Sequence, residues 1–169
     1  MSATRTIVRV DTSDRVIGAM LPHERSAETV YRCSALWLTN PRTGDVLLAQ
    51  RAPHMAFGGT WGPAAAGTVE DGETYLDNAT KELAEEIGVV GVPLIEGPKE
   101  YAENLGPLPH RRYFCQWFLG EVDQPAEAFT LEASEVSAVR WVHPADLRRE
   151  IADHPERFIP LADRWPVLP

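Results

Sequence analysis

The stretch Gly67-Thr68-Val69-Glu70-Asp71-Gly72-Glu73-Thr74-Tyr75-Leu76-Asp77-Asn78-Ala79-Thr80-Lys81-Glu82-Leu83-Ala84-Glu85-Glu86-Ile87-Gly88-Val89 decides how the rest of the chain is read. Its second half predicts a helix: Thr74 can cap the start with Asp77 as the reciprocal acid, and Gly88 is placed to close the end. At about 100° per residue, Glu82, Glu85 and Glu86 fall within an arc of roughly 100°, while Leu76, Ala79, Leu83 and Ile87 share a neighbouring face. One face is core and the other a carboxylate cluster. Like charges at i, i+3 and i+4 repel and weaken a helix. A hard divalent cation removes that conflict, and Mg²⁺ in particular takes one or two carboxylates together with phosphate oxygens and water. Three glutamates taken alone more commonly mark only a solvated helix face; the surrounding pattern reverses that reading.

Outward from this segment, Thr6–Val10 and Val16–Met20 are short apolar or β-branched runs separated by Asp11, Ser13 and Asp14, which predicts an N-terminal hairpin at about 5–21. Tyr31–Leu38 and Asp45–Arg51 form a second pair around Asn40-Pro41-Arg42-Thr43-Gly44. From Ala52 to Glu73 the chain is rich in Gly, Pro and Ala and reads as loop, with one short strand near Pro63–Gly67. Further strands are expected at Lys99–Glu103, Arg111–Val122 and Ser137–Val142, a second helix from Pro144, and a third over Pro155–Arg164. Strands and helices do not alternate regularly, so the expected fold is α/β of the α+β kind, a mixed sheet between helices.

With 169 residues the chain is expected to form a single domain over 1–169. A net charge of −9 disfavours long-range attraction to a nucleic acid polymer or an anionic membrane, so a small anion would arrive with metal. The polar start MSATRTIVRVDT and the lack of a long apolar run make the cytoplasm the expected location. Cys33 and Cys115 lie in apolar runs without metal-site or disulfide spacing and read as buried, reduced thiols.

The quoted segment resembles the Nudix box, G-x5-E-x7-R-E-U-x-E-E-x-G-U with U aliphatic, over 67–89, departing from it at Lys81, where the pattern has Arg. A chance match of this quality is on the order of one in millions. The resemblance implies an α/β/α sandwich and a Mg²⁺-dependent hydrolase, with Mn²⁺ as a substitute, that cleaves a diphosphate linkage in a nucleoside diphosphate derivative or similar small organic diphosphate. It implies Glu82, Glu85 and Glu86 as metal ligands, a backbone ligand at the Ala66 carbonyl, and Glu73 as partner of residue 81. Lys81 keeps the charge but lacks the guanidinium fork, so that pairing is expected to be weaker.

Trp61 six residues before Gly67, and Ala65-Ala66 just before it, resemble the isopentenyl diphosphate isomerase branch, as do Tyr31–Asn40, Glu135-Val136 with Trp141, and the C-terminal aromatic segment. That branch needs a cysteine before the box glycine and a metal-binding histidine after it, where this chain has Ala66 and Thr68. An isomerase, or a non-catalytic binding protein on the same fold, are the alternatives to hydrolysis. Candidate phosphate-binding residues are Arg51, Arg111 and Arg112, with His54, Lys99 and His110 as further cations; Tyr101 and Trp117 could stack on a base. Candidate catalytic residues are Glu135, in the loop before the strand ending near Trp141, and Glu85 on the helix. Neither the diphosphate substrate nor the oligomeric state follows from the sequence, which leaves a homodimer open.

Overall fold

A computed structural model describes residues 4–105 and 108–168. The strands are β1 (Ile7–Val10), β2 (Val16–Met20), β3 (Val30–Thr39), β4 (Val46–Arg51), β5 (Trp61–Gly62), β6 (Ala65–Thr68), β7 (Ile95–Leu105), β8 (Leu108–Glu121) and β9 (Val136–Val142); the helices are α1 (Tyr75–Ile87) and α2 (Pro144–Asp153). β3 organises the sheet. Along one edge it runs parallel to β8, from Val30 opposite Arg112 to Thr39 opposite Glu121. Its other edge is shared by β1 at Val30 and Tyr31, β6 from Cys33 to Leu36 and β4 at Thr39, all antiparallel. β7 extends the sheet beyond β8, while β5 and β9 pair with β4. The 61–68 segment therefore steps from the β4 group to β3, and the ladder is interrupted between β6 and the β4–β5–β9 group.

Side-chain alternation along β3 and β8 divides the core. Leu36, Leu38 and Phe118 face α1 and pack with Ala79, Leu83 and Ile87. Ala35, Trp37, Cys115 and Trp117 face the opposite side and pack with Leu147 and Ile151 of α2 and with Phe158 and Trp165. The mixed sheet thus lies between helices, as expected.

The expected cap is formed: the Thr74 hydroxyl accepts from the Asp77 N–H, and the Asp77 carboxylate accepts from the Thr74 N–H. Gly88 ends α1 in the left-handed conformation at φ +70°, where a non-glycine residue would be strained. Two expectations fail in detail. Leu76 is 48% exposed, and its neighbour Tyr75 takes the packed position against the core. Pro155–Arg164 forms two short 3-10 turns, Pro155–Arg157 and Ala162–Arg164, instead of a helix. Pro160 has no N–H to donate and disfavours helical backbone at Ile159, and Leu161 then turns left-handed at φ +64°.

The unequal burial of the two leucines of α1 gives a test. Leu83→Ala is expected to lower stability by about 2–5 kcal/mol through the cavity it leaves. Leu76→Ala should stay within about 0.5 kcal/mol of wild type. Urea unfolding of the two variants compares them directly.

Candidate active site

Glu82 and Glu86 project from successive turns of α1 and are only 6% and 8% exposed. The Glu82 carboxylate lies against the backbone of Gly67 in β6, where a Cβ would sit 2.1 Å from its Oε1. The box glycine is thus required by close approach and not by an unusual backbone angle. Asn78, wholly buried one turn earlier on α1, donates from Nδ2 to Glu82 Oε1 at 3.1 Å and to the Thr68 carbonyl at 3.1 Å, and its own oxygen accepts from the Ser34 hydroxyl. This fixes one carboxylate oxygen of Glu82 and leaves the other to be shared. Asn78 carries no motif signal, but its i, i+4 relation to Glu82 places it beside that carboxylate.

The third member of the cluster comes from another part of the chain. Carboxylate oxygens of Glu82, Glu86 and Glu135 all lie within 4.8 Å of one another. Glu135 is exposed, and its position is set by backbone bonds: the Glu132 N–H donates to the Glu86 carbonyl at 2.9 Å, and the Ala52 N–H donates to the Glu135 carbonyl at 2.8 Å. The 132–135 turn is thereby tied both to the end of α1 and to the chain leaving β4. Glu85 lies outside this trio; it is exposed and lines the same cavity.

Burial, and then the facing Glu82 and Glu135, push the Glu86 carboxyl up to about 9, although the Ala66 N–H and Arg51 favour its ionised form. Burial also raises Glu82, against the opposing pull of Lys81 and Arg5. Carboxylates so arranged are poorly stabilised by the protein alone and suit a hard, oxygen-seeking divalent cation. Lys81 lies beside them without joining them. Its ammonium bonds Glu73 Oε1 at 2.6 Å and Glu70 Oε1 at 2.9 Å, so the expected pairing with Glu73 is present and a second carboxylate is added. Burial notwithstanding, these bonds hold Lys81 above and Glu73 below their ordinary values.

A cavity of about 740 Å³ opens beside the trio. Its floor includes Cys33, Cys115, Trp117 and Trp165, and its rim Arg51 and Arg111. Strand alternation separates two of the expected cations: Arg111 faces the cavity, whereas Arg112 faces away and bonds the Tyr101 hydroxyl at 2.8 Å and the Ala27 carbonyl at 3.1 Å. Lys99 is engaged by Asp14 at 2.7 Å and His54 does not line the cavity; the side chain of His110 lies outside the described residues. Tyr101 lies at the cavity wall against Phe114, and buried Trp117 donates to Glu100 at 3.1 Å. Both cysteines are free, and burial pushes the Cys33 thiol up to about 12 and Cys115 well above its ordinary value, so neither is an activated nucleophile. Arg5 and Arg25, which composition did not single out, also line the cavity.

The NUDIX domain family matches residues 30–162. The chain belongs to the Nudix family. It is 31% identical over 145 residues to an uncharacterised Nudix hydrolase of Pseudomonas aeruginosa, covering 85% of this chain and 81% of that one. It is also 31% identical over 122 residues to an isopentenyl-diphosphate Delta-isomerase of Cereibacter sphaeroides, covering 69% and 67%. The Deinococcus radiodurans protein DR0079 has the same fold, with TM-score 0.70 at 20% identity over 88% of this chain and 90% of that one. As a Nudix hydrolase the chain is a pyrophosphohydrolase, cleaving the acid anhydride between two phosphoryl groups, and Nudix hydrolases generally use divalent metal ions.

Gly67→Ala should weaken divalent cation binding at least tenfold, read by Mn²⁺ titration, because the new methyl displaces Glu82; unchanged affinity would separate Gly67 from the metal site. A second prediction concerns the metal-free protein. Glu86 ionises near 4.5 when free and near 9 in the fold, so it costs the fold stability increasingly as pH rises between those values. In excess chelator, Glu86→Gln should therefore unfold at a higher temperature than wild type at pH 8, with the gain shrinking toward pH 5. A gain independent of pH would argue against this titration.

Proposed function

We propose that the chain hydrolyses the diphosphate linkage of a nucleoside diphosphate derivative or similar small organic diphosphate with Mg²⁺, Mn²⁺ substituting. The observation that carries this reading is the convergence of Glu82, Glu86 and Glu135 beside a cavity rimmed by arginines. We assign Glu82 and Glu86 as the principal metal ligands, with Glu85 on the adjoining wall as the further ligand the Nudix box implies. When bound there, a divalent cation supplies charge neutralisation and Lewis acidity toward the phosphoryl oxygens and lowers the pKa of the attacking water.

The chain's own residues divide the remaining work. Arg51 and Arg111 can pair with phosphoryl oxygens, which the guanidinium fork matches well. Glu135, exposed and held by its backbone, can accept the proton that the attacking water loses. The apolar floor around Cys115, Trp117 and Trp165 accommodates the organic group and keeps bulk water from it. Isomerisation is disfavoured because Ala66 offers no thiol and Thr68 no imidazole where the isomerase branch uses them. We take the whole chain, N-terminal hairpin included, as one functional unit, since β1 pairs directly with β3. Its setting is proposed to be the cytoplasm, which suits two free cysteines.

A panel of nucleoside diphosphate derivatives and prenyl diphosphates, assayed with Mg²⁺ for released phosphate and for isomer, tests this reading. Turnover should vanish in excess chelator and fall by several orders of magnitude in Glu86→Gln. Glu135→Gln should cost a factor of about 10² to 10⁴ in kcat with metal affinity largely kept. Wild-type kcat in Glu135→Gln, together with loss of turnover in a Glu85→Gln variant that still binds metal, would move the base to the helix. Formation of dimethylallyl from isopentenyl diphosphate would reject the hydrolase reading.

A further inference from the structure

Arg5, Ile7, Pro22, Arg25 and Thr68 enclose a recess of about 120 Å³, and Arg5, Arg25 and Thr68 also line the main cavity. The recess is therefore a side chamber of the main cavity, joined to it at Thr68, the residue after the Gly67 backbone against which the Glu82 carboxylate lies. Its two cations come from outside the family match at 30–162, one preceding β1 and one in the link between β2 and β3.

Arg25 is the informative one. It is half-buried, with Nε donating to the Pro22 carbonyl at 2.7 Å and the guanidinium carbon 5.2 Å from the centre of the Tyr31 ring. Among the described residues it has no carboxylate partner, in a chain of net charge −9, whereas Arg5 is paired with Glu70 at 2.8 Å. Tyr31 and Arg111 both line the main cavity. With Nε spent on Pro22 and no carboxylate in contact, the remaining guanidinium N–H groups of Arg25 are donors for an oxyanion in the adjoining recess.

We infer that this recess is a phosphoryl-binding subsite, resting on the diphosphate reading above, in which Arg25 with Arg5 and the Thr68 hydroxyl holds a substrate phosphoryl group. The recess shares Arg5, Arg25 and Thr68 with the main cavity, whose lining also includes Arg51 and the carboxylate trio, so a phosphate chain seated in the recess continues into that cavity and the organic group falls toward Cys115, Trp117 and Trp165. The N-terminal hairpin and its link are then part of substrate recognition.

Isothermal titration tests this with two probes that need no turnover: inorganic phosphate in chelator, and the non-hydrolysable methylenediphosphonate with Mg²⁺. Arg25→Ala should weaken both at least tenfold, while Arg42→Ala, which removes a surface pair with Asp123, should leave both within twofold. If the alanine variant does not fold, Arg25→Gln carries the same test, since it keeps part of the stem over Tyr31 and a donor near Pro22. Wild-type affinity for phosphate in the Arg25 variant overturns the subsite. Weakened phosphate with unaffected methylenediphosphonate overturns its place in substrate recognition and identifies a site for free phosphate. Arg25-dependent binding of both probes, in a protein that turns over no diphosphate, would support the subsite and reject the hydrolase reading.

Discussion

Burial of two carboxylates beside a third is the constraint on which the active end of this molecule depends. Glu82 and Glu86 are almost out of water, and Glu135 brings a third carboxylate to within 4.8 Å. Among the described residues no cation forms an ion pair with them: Lys81 is committed to Glu70 and Glu73, and Arg51 and Arg111 line the cavity. The fold therefore carries local instability where charge density is highest, a pattern expected of sites completed by a ligand.

The scaffold holds this arrangement with backbone more than with side chains. β3 gives one edge in succession to three strands, and the interruption between β6 and the β4 group makes room for the cavity. The bonds from Glu132 to the Glu86 carbonyl and from Ala52 to the Glu135 carbonyl tie the 132–135 turn to both sides of that interruption. Replacing any one carboxylate would leave these backbone ties in place, so side-chain chemistry here is separable from local fold.

What was legible in the sequence follows the range of the forces involved. Thr74, Asp77 and Gly88 act within one or two turns, and the helix they delimit was readable from spacing alone. The facing of Arg111 and Arg112 was readable in principle, because neighbours on a strand point to opposite faces. The Glu135-Val136 resemblance singles out Glu135 as a candidate base, but its place in the carboxylate trio, with Glu85 outside it, was not legible, since it rests on contacts between segments far apart in the chain. Arg25 escaped notice for a similar reason: nothing near it in sequence marks it, and its meaning comes from the recess and from Tyr31. At 155–164 the expected helix gives way to two short turns around Pro160, whose ring excludes helical continuation.

Lys81 shows how a position can be read by task instead of by identity. An arginine meets a single carboxylate as a flat two-pronged plug, and its direction matters. The ammonium of Lys81 acts more like a ball joint, taking Glu73 and Glu70 from different directions at 2.6 Å and 2.9 Å. One swivelling point charge fastens both ends of the Glu70–Glu73 turn to the helix that carries Glu82 and Glu86. Orientational tolerance here replaces geometric fit, so one residue of a different shape serves two carboxylates at once.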